Sequence, residues 1–265
     1  MSGVVKENLI VEARQHGLTW KEISNIFHIN NKTIQHVLHK HGIIVNSFHK
    51  AGYTAFTQHQ HEVIDGLLLG DGSITANDPN RASILRLTTI ASEFRDHIIT
   101  VLDPLTFGPI HTTAAGDGII EGRIIHAKER YRIRSRSDWA LTSFSKRWMP
   151  NGLKSIPKDL NITPIIMRYW FYGDGSTSWG GRPKQHHNTV RFTLCTDSFS
   201  LEECNCLVNL VDNATNIRLN VNRCQTGSRL CVSRSNDVRY LLDYMAPTLK
   251  CFDYKWKYPE YCMED

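Results

Sequence analysis

Apolar positions keep two rhythms along this chain, one helical and one of period two, and the points where they change mark its parts. Over Val4–His16 they recur at helical spacing, with Val5, Leu9, Ile10 and Ala13 on one stripe and Gly17 as a stop. Thr19-Trp20-Lys21-Glu22 has capping-box spacing and opens a second helix to about Phe27. His28-Ile29-Asn30 makes a tight turn, and Asn30 or Asn31 caps a third helix that runs through Lys40 and ends at Gly42. With Ile23, Ile29 and Ile34 inward and small Ser24 at the crossing, residues 1–45 describe a helix-turn-helix domain. Periodicity is lost over 46–60, which reads as a polar linker.

From His61 the pattern starts again and is then repeated. Val63-Ile64-Asp65-Gly66-Leu67-Leu68-Leu69-Gly70-Asp71-Gly72 is almost continuously apolar, and its Gly66 and Gly70 share one helix face, where a second helix can approach almost backbone to backbone. Period two follows at Ile84–Thr89, a helical stretch at Ser92–Leu102, and a hairpin over Ile110–Ile125 with Asp117-Gly118 as its turn signal. Glu129–Ser137 alternates strongly, with Tyr131, Ile133 and Ser135 on one side and Arg130, Arg132, Arg134 and Arg136 on the other. The same order returns as Met167–Gly175, Thr189–Thr196, Leu201–Val211, Ile217–Arg223, a turn at Gln225-Thr226-Gly227, and Arg229–Asp237, which shares a Ser-Arg-Ser core with Tyr131–Asp138. The halves 61–160 and 161–265 are therefore expected to be α+β units related by a pseudo-twofold axis.

Both long helices end in Gly-Asp-Gly, at Gly70-Asp71-Gly72 and Gly173-Asp174-Gly175. A carboxylate at the negative pole of a helix is unfavourable on its own, so each calls for a cation. Ile64–Gly72 and Met167–Gly175 resemble the paired nine-residue motifs of the LAGLIDADG homing endonucleases, with Tyr169 standing where the first copy has Gly66. The resemblance implies two αββαββα-like halves packed through the motif helices in one monomer. It also implies Asp71 and Asp174 as catalytic metal ligands at the interface. Hydrolysis of a phosphodiester needs an activated water and neutralised charge, and Mg2+ (or Mn2+) can be held by one or two carboxylates. The carbonyls of Gly70 and Gly173 are candidate further ligands.

A basic residue in each half is also implied. Leu153-Lys154-Ser155-Ile156-Pro157 is similar to the family's lysine-bearing segment before the second motif, and Phe252-Asp253-Tyr254-Lys255-Trp256 to its C-terminal partner. The spacings agree: 83 residues from Asp71 to Lys154 and 81 from Asp174 to Lys255, with Lys250 a competing candidate.

Charge fits a polyanionic partner. The net charge is +5 before any of the 13 histidines is counted, and four arginines in a row on one strand make a ridge suited to a groove. Candidate contacts to double-stranded DNA are Arg86, Arg132, Arg134, Arg136, Arg191, Arg218, Arg229 and Arg234 on the sheets. On the third helix they are Lys32 and Gln35, with Asn31, Thr33 and His36 beside them. No apolar run approaches the ~20 residues needed to span a bilayer, and the first residues lack a signal-peptide core. Seven cysteines, all between Cys195 and Cys262 and without CxxC spacing, read as packed thiols of an intracellular, reducing compartment. The leading expectation is a site-specific double-strand DNA endonuclease of the homing type, which by the resemblance would recognise a long, nearly non-repeating site and leave short 3′ overhangs. A non-catalytic DNA-binding regulator on the same scaffold, and a maturase acting on its own intron RNA, remain open.

Overall fold

The structure, a computed structural model, describes residues 3–15, 20–41, 53–75, 82–120, 123–180, 189–224 and 227–256. The chain divides into two compact units, residues 1–50 and 51–265. Among the described residues no helix is long and apolar enough to cross a membrane.

The first unit consists of α1 (Gly3–Gln15), α2 (Trp20–Phe27) and α3 (Asn31–Lys40) around a small core of Ile10, Ile23, Ile34, Val37 and Leu38. His28, in the turn between α2 and α3, has φ 51°, a left-handed conformation uncommon outside glycine. A reciprocal bond closes that turn: Ser24 Oγ donates to the Ile29 carbonyl at 2.6 Å and the Ile29 amide to the Ser24 carbonyl at 3.2 Å. Asn30 caps α3, its Oδ1 accepting from the Thr33 amide at 2.9 Å. On α3, Lys32, Thr33 and His36 are exposed, while the side chain of Gln35 lies outside the described residues.

The second unit is mixed helix and antiparallel sheet, built twice. Its first half runs α4 (Gln58–Leu69), β1 (Ser73–Thr75), β2 (Ile84–Thr89), α5 (Ser92–Val101), β3 (His111–Thr113), β4 (Gly116–Ile120), β5 (Arg123–Ala127), β6 (Arg130–Arg134) and α6 (Ala140–Trp148). The second half runs α7 (Pro164–Asp174), β7 (Gly175–Gly180), β8 (Thr189–Cys195), α8 (Leu201–Thr215), β9 (Asn220–Cys224), β10 (Gly227–Val232), α9 (Ser235–Tyr244) and a 3₁₀ turn, Lys250–Lys255. The sheets have matching orders, β1-β2-β6-β3 and β7-β8-β10-β9, and β4–β5 forms a separate hairpin present in the first half. Leu85, Leu87 and Ile133 of one sheet and Val190, Phe192, Leu194 and Leu230 of the other enter a common core with the apolar faces of α4 and α7.

Three expectations change. Helix α4 begins at Gln58, because Thr57 and Gln60 form a capping box in which the Gln60 amide donates to Thr57 Oγ1 at 3.3 Å. The C-terminal part of the predicted linker therefore belongs to the folded body. There Thr54 is buried, with its hydroxyl donating to Asp138 at 2.7 Å; residues 42–52 lie outside the described residues. Asp117-Gly118 sits inside β4, opposite His126 and Ile125, and Asp117 bonds across the ladder to His126 Nδ1 at 2.7 Å. The third change is the strand predicted from Ile217, which starts at Asn220 and leaves Arg218 ahead of it, its guanidinium paired with Asp212 of α8 at 3.3 Å.

Candidate active site and nucleic-acid interface

The site lies where α4 and α7 end together. Glycine allows that approach. A β-carbon on Gly66 would fall 2.6 Å from the Ile166 carbonyl oxygen and 2.7 Å from Tyr169 Cβ; one on Gly70 would meet the Trp170 carbonyl at 3.3 Å. One on Gly173 would lie 2.9 Å from the Asp71 amide and 3.4 Å from Asp71 Oδ2, so the backbone of one motif helix borders the carboxylate of the other. Tyr169 is buried against the gap left by Gly66, and its hydroxyl meets His97 Nε2 of α5 at 2.5 Å.

The two aspartates of the first motif have different environments. Asp65 is buried and saturated, accepting from Arg147 Nη1 at 2.6 and 2.8 Å and from Trp148 Nε1 at 2.8 Å. Asp71 keeps an exposed flank, with packed protein on its other sides, and that enclosure raises its pKa against the pull of Lys255 and Lys154. Asp174 is pushed up to about 6, first by burial and then by the negative charge of Asp71. Two neighbouring carboxylates that resist ionisation together make a site that favours cations.

A lysine caps each motif helix at its negative end. Lys154 Nζ donates to the Gly70 carbonyl at 3.4 Å and stands 5.1 Å from the centre of the Phe199 ring. Lys255, 8% exposed, donates to the carbonyls of Phe171 at 3.0 Å, Tyr172 at 2.7 Å and Gly173 at 3.2 Å. Burial lowers both amines, Lys255 to about 8, while Asp71 and Asp174 hold them up. Lys250 is exposed at the start of the same 3₁₀ turn, and the geometry brings Lys255 to the carboxylates instead.

Among the described residues no cluster of three or more His, Cys, Asp or Glu side chains is placed to hold a metal. Two carboxylates alone suit Mg2+, which takes the rest of its shell from water and substrate phosphates. The donor set fits that cation. The carbonyls of Gly70 and Gly173 each already accept from a lysine and keep one further lone pair.

From Asp71 a groove of about 360 Å³ runs onto the outer face of the first sheet, past Ser73, Arg86, Thr88, His111, Arg132 and Arg134. Register explains the grouping: Arg86 pairs with Ser73 and Arg134, Thr88 with Arg132, and His111 with Arg132, so all point to one face. Arg136 is exposed just beyond β6. On the second sheet Arg191 and Arg229 are exposed on the outer face, with Ser176, Ser178, Asn220 and Asn222 on its edge strands. Arg234 is exposed at the N-cap of α9. The polar partners on both faces were missed from sequence because cross-strand register decides them; the Asn220-Val221-Asn222 alternation was their visible trace. A larger groove of about 440 Å³, lined by His61, Glu62, Asp65 and Arg147, opens at the far end of α4 from Asp71.

Two halves, two crossing helices and a paired-aspartate site define a class. The LAGLIDADG DNA endonuclease family matches residues 61–238, and the chain belongs to it. Its fold is similar to that of the homing endonuclease I-WcaI, solved bound to its DNA recognition sequence. The TM-score is 0.66 at 21% identity, over 78% of this chain and 89% of that one. Full-length DUF199/WhiA from Thermatoga maritima aligns less closely, with TM-score 0.40 and 12% identity over 76% of this chain and 60% of that one. In sequence the chain is 26% identical to an uncharacterized protein of Methanocaldococcus jannaschii over 204 residues, 74% of this chain and 72% of the relative.

Proposed function

We propose that this chain is a monomeric, divalent-metal-dependent endonuclease of the homing type that cuts both strands of a specific DNA site. The observation that carries the reading is the meeting of Asp71 and Asp174 at the ends of two crossing helices, one capped by the half-buried Lys154 and the other by the buried Lys255. Mg2+ (or Mn2+) held there would supply an activated water and stabilise charge on the phosphate and the leaving alkoxide. Lys154 and Lys255 offset the same charge; Lys154, with one bond to the Gly70 carbonyl, orients water, while Lys255 gives its three donors to helix carbonyls, and each half addresses one strand. Arg86, Arg132, Arg134, Arg136, Arg191, Arg229 and Arg234 hold the duplex through phosphates and base edges. The exposed Lys32 and its neighbour Gln35 on α3 support a further DNA contact from residues 1–45, lengthening the footprint.

The test is incubation with a randomised duplex library, with and without Mg2+, followed by sequencing of new ends. Defined ends that require Mg2+ and vanish in Asp71→Asn or Asp174→Asn are expected. Selective retention of duplex with no cut at any divalent cation tried would overturn the enzymatic reading and leave the DNA-binding regulator. Retention of intron RNA in preference to duplex would leave the maturase.

A further inference from the structure

The two outer sheet faces are built on one plan but carry different chemistry. On the first, Arg86 of β2 and Arg134 of β6 are direct cross-strand partners, with Arg132 and Arg130 following along the same strand face. Like charges placed opposite one another destabilise a sheet. Among the described residues Arg86, Arg130, Arg132 and Arg134 have no ion-pair partner, and Arg86 Nε is buried without a hydrogen-bond acceptor beside the groove. On the second face the corresponding strands carry two arginines, Arg191 and Arg229, spaced by Thr193 and Cys231. Its edges are lined by Asn220 and Asn222 on one side and Ser176 and Ser178 on the other.

We infer that the two halves read half-sites of opposite composition: a guanine-rich half-site under the first sheet, and an adenine-containing one under the second. The inference rests on the reading of these faces as DNA-facing. A guanidinium donates two parallel hydrogen bonds to guanine O6 and N7, whereas an asparagine amide matches the donor–acceptor pair of adenine N6 and N7. The first face also supplies most of the fixed positive charge, so the first half carries most of the salt dependence of binding. The unpaired Arg86–Arg134 row is then a receptor for paired acceptors, and its like-charge strain is relieved when duplex is present.

Selection of the full chain on a randomised duplex library without divalent cation, followed by sequencing of retained DNA, reads this directly. The expected consensus is rich in guanine on one strand of one half and contains adenine in the other. Arg86→Ala and Arg134→Ala relax the guanine positions by about tenfold each and leave the other half unchanged. Asn222→Ala relaxes an adenine position in the opposite half. Arg134→Lys separates recognition from charge, since the guanine preference falls while the salt slope stays near its original value; a merely structural arginine would move neither. A consensus of equal composition in both halves, or Arg86→Ala and Asn222→Ala relaxing the same half, overturns the inference alone. Failure to retain any duplex selectively overturns the DNA reading and this inference with it.

Discussion

The four titratable groups at the helix ends are balanced against one another, and each can be tested by what it does when its neighbours are left intact. Asp174 titrates near 6 in the folded protein, above its ordinary 3.8. Through this group the metal-free protein therefore loses stability as pH rises from about 4 to about 6. Melting in chelator should show that fall in the wild type and its reduction in Asp174→Asn, and Mg2+ should restore stability at pH 7.5. Cleavage at limiting Mg2+ should weaken as pH drops below about 6, where protonation competes with the cation. The lysines separate similarly. Lys154→Met, which removes one 3.4 Å contact, is expected to slow cleavage by ~100-fold or more with little change in melting temperature. Lys255→Met strips three carbonyls of a donor and should in addition cost about 2 kcal/mol of stability. Single-turnover cleavage and thermal melting of both variants check this.

At the scale of elements, the crossing of α4 and α7 is the part most sensitive to single atoms. Gly66→Val places branched carbon where a first β-carbon already falls 2.6 Å from a backbone oxygen, so the helices must part. A loss of about 3 kcal/mol, roughly 6–12 °C in melting temperature, is expected by calorimetry, with cleavage reduced further because both carboxylates move. These helices were legible because burial and close approach write themselves into consecutive residues: the apolar run, its small residues and the Gly-Asp-Gly ends all lie within ten positions. The alternating strands were legible for the same reason. Asp117-Gly118 was misplaced because a turn pair is also tolerated in an exposed ladder, where Asp117 finds His126 across the strand. Thr57 and Gln60 carried a start signal for α4 that the polar surroundings hid. Arg218 could not be assigned from its own strand, since its partner Asp212 belongs to the preceding helix. The pairing of Arg86 with Arg134 is set by register between distant segments, which no local pattern carries.

For the whole molecule, the division at residue 50 has a practical meaning. Each unit owns a separate core, and Thr54 is already anchored to Asp138 in the second. Deleting residues 1–50 should leave a folded protein that still cleaves, with affinity for an extended duplex reduced by tenfold or more. Equilibrium binding and melting curves of the truncated chain check both parts.

The crossing has a consequence for how the duplicated halves can pair. Gly66 on one helix receives Tyr169 from the other, so the contact is not self-complementary. Two first halves would meet glycine to glycine and leave a hole where a phenol ring belongs. Two second halves would drive one tyrosine against another in a space shaped for one. The mismatch in size therefore fits each motif helix to the other half and not to a copy of itself.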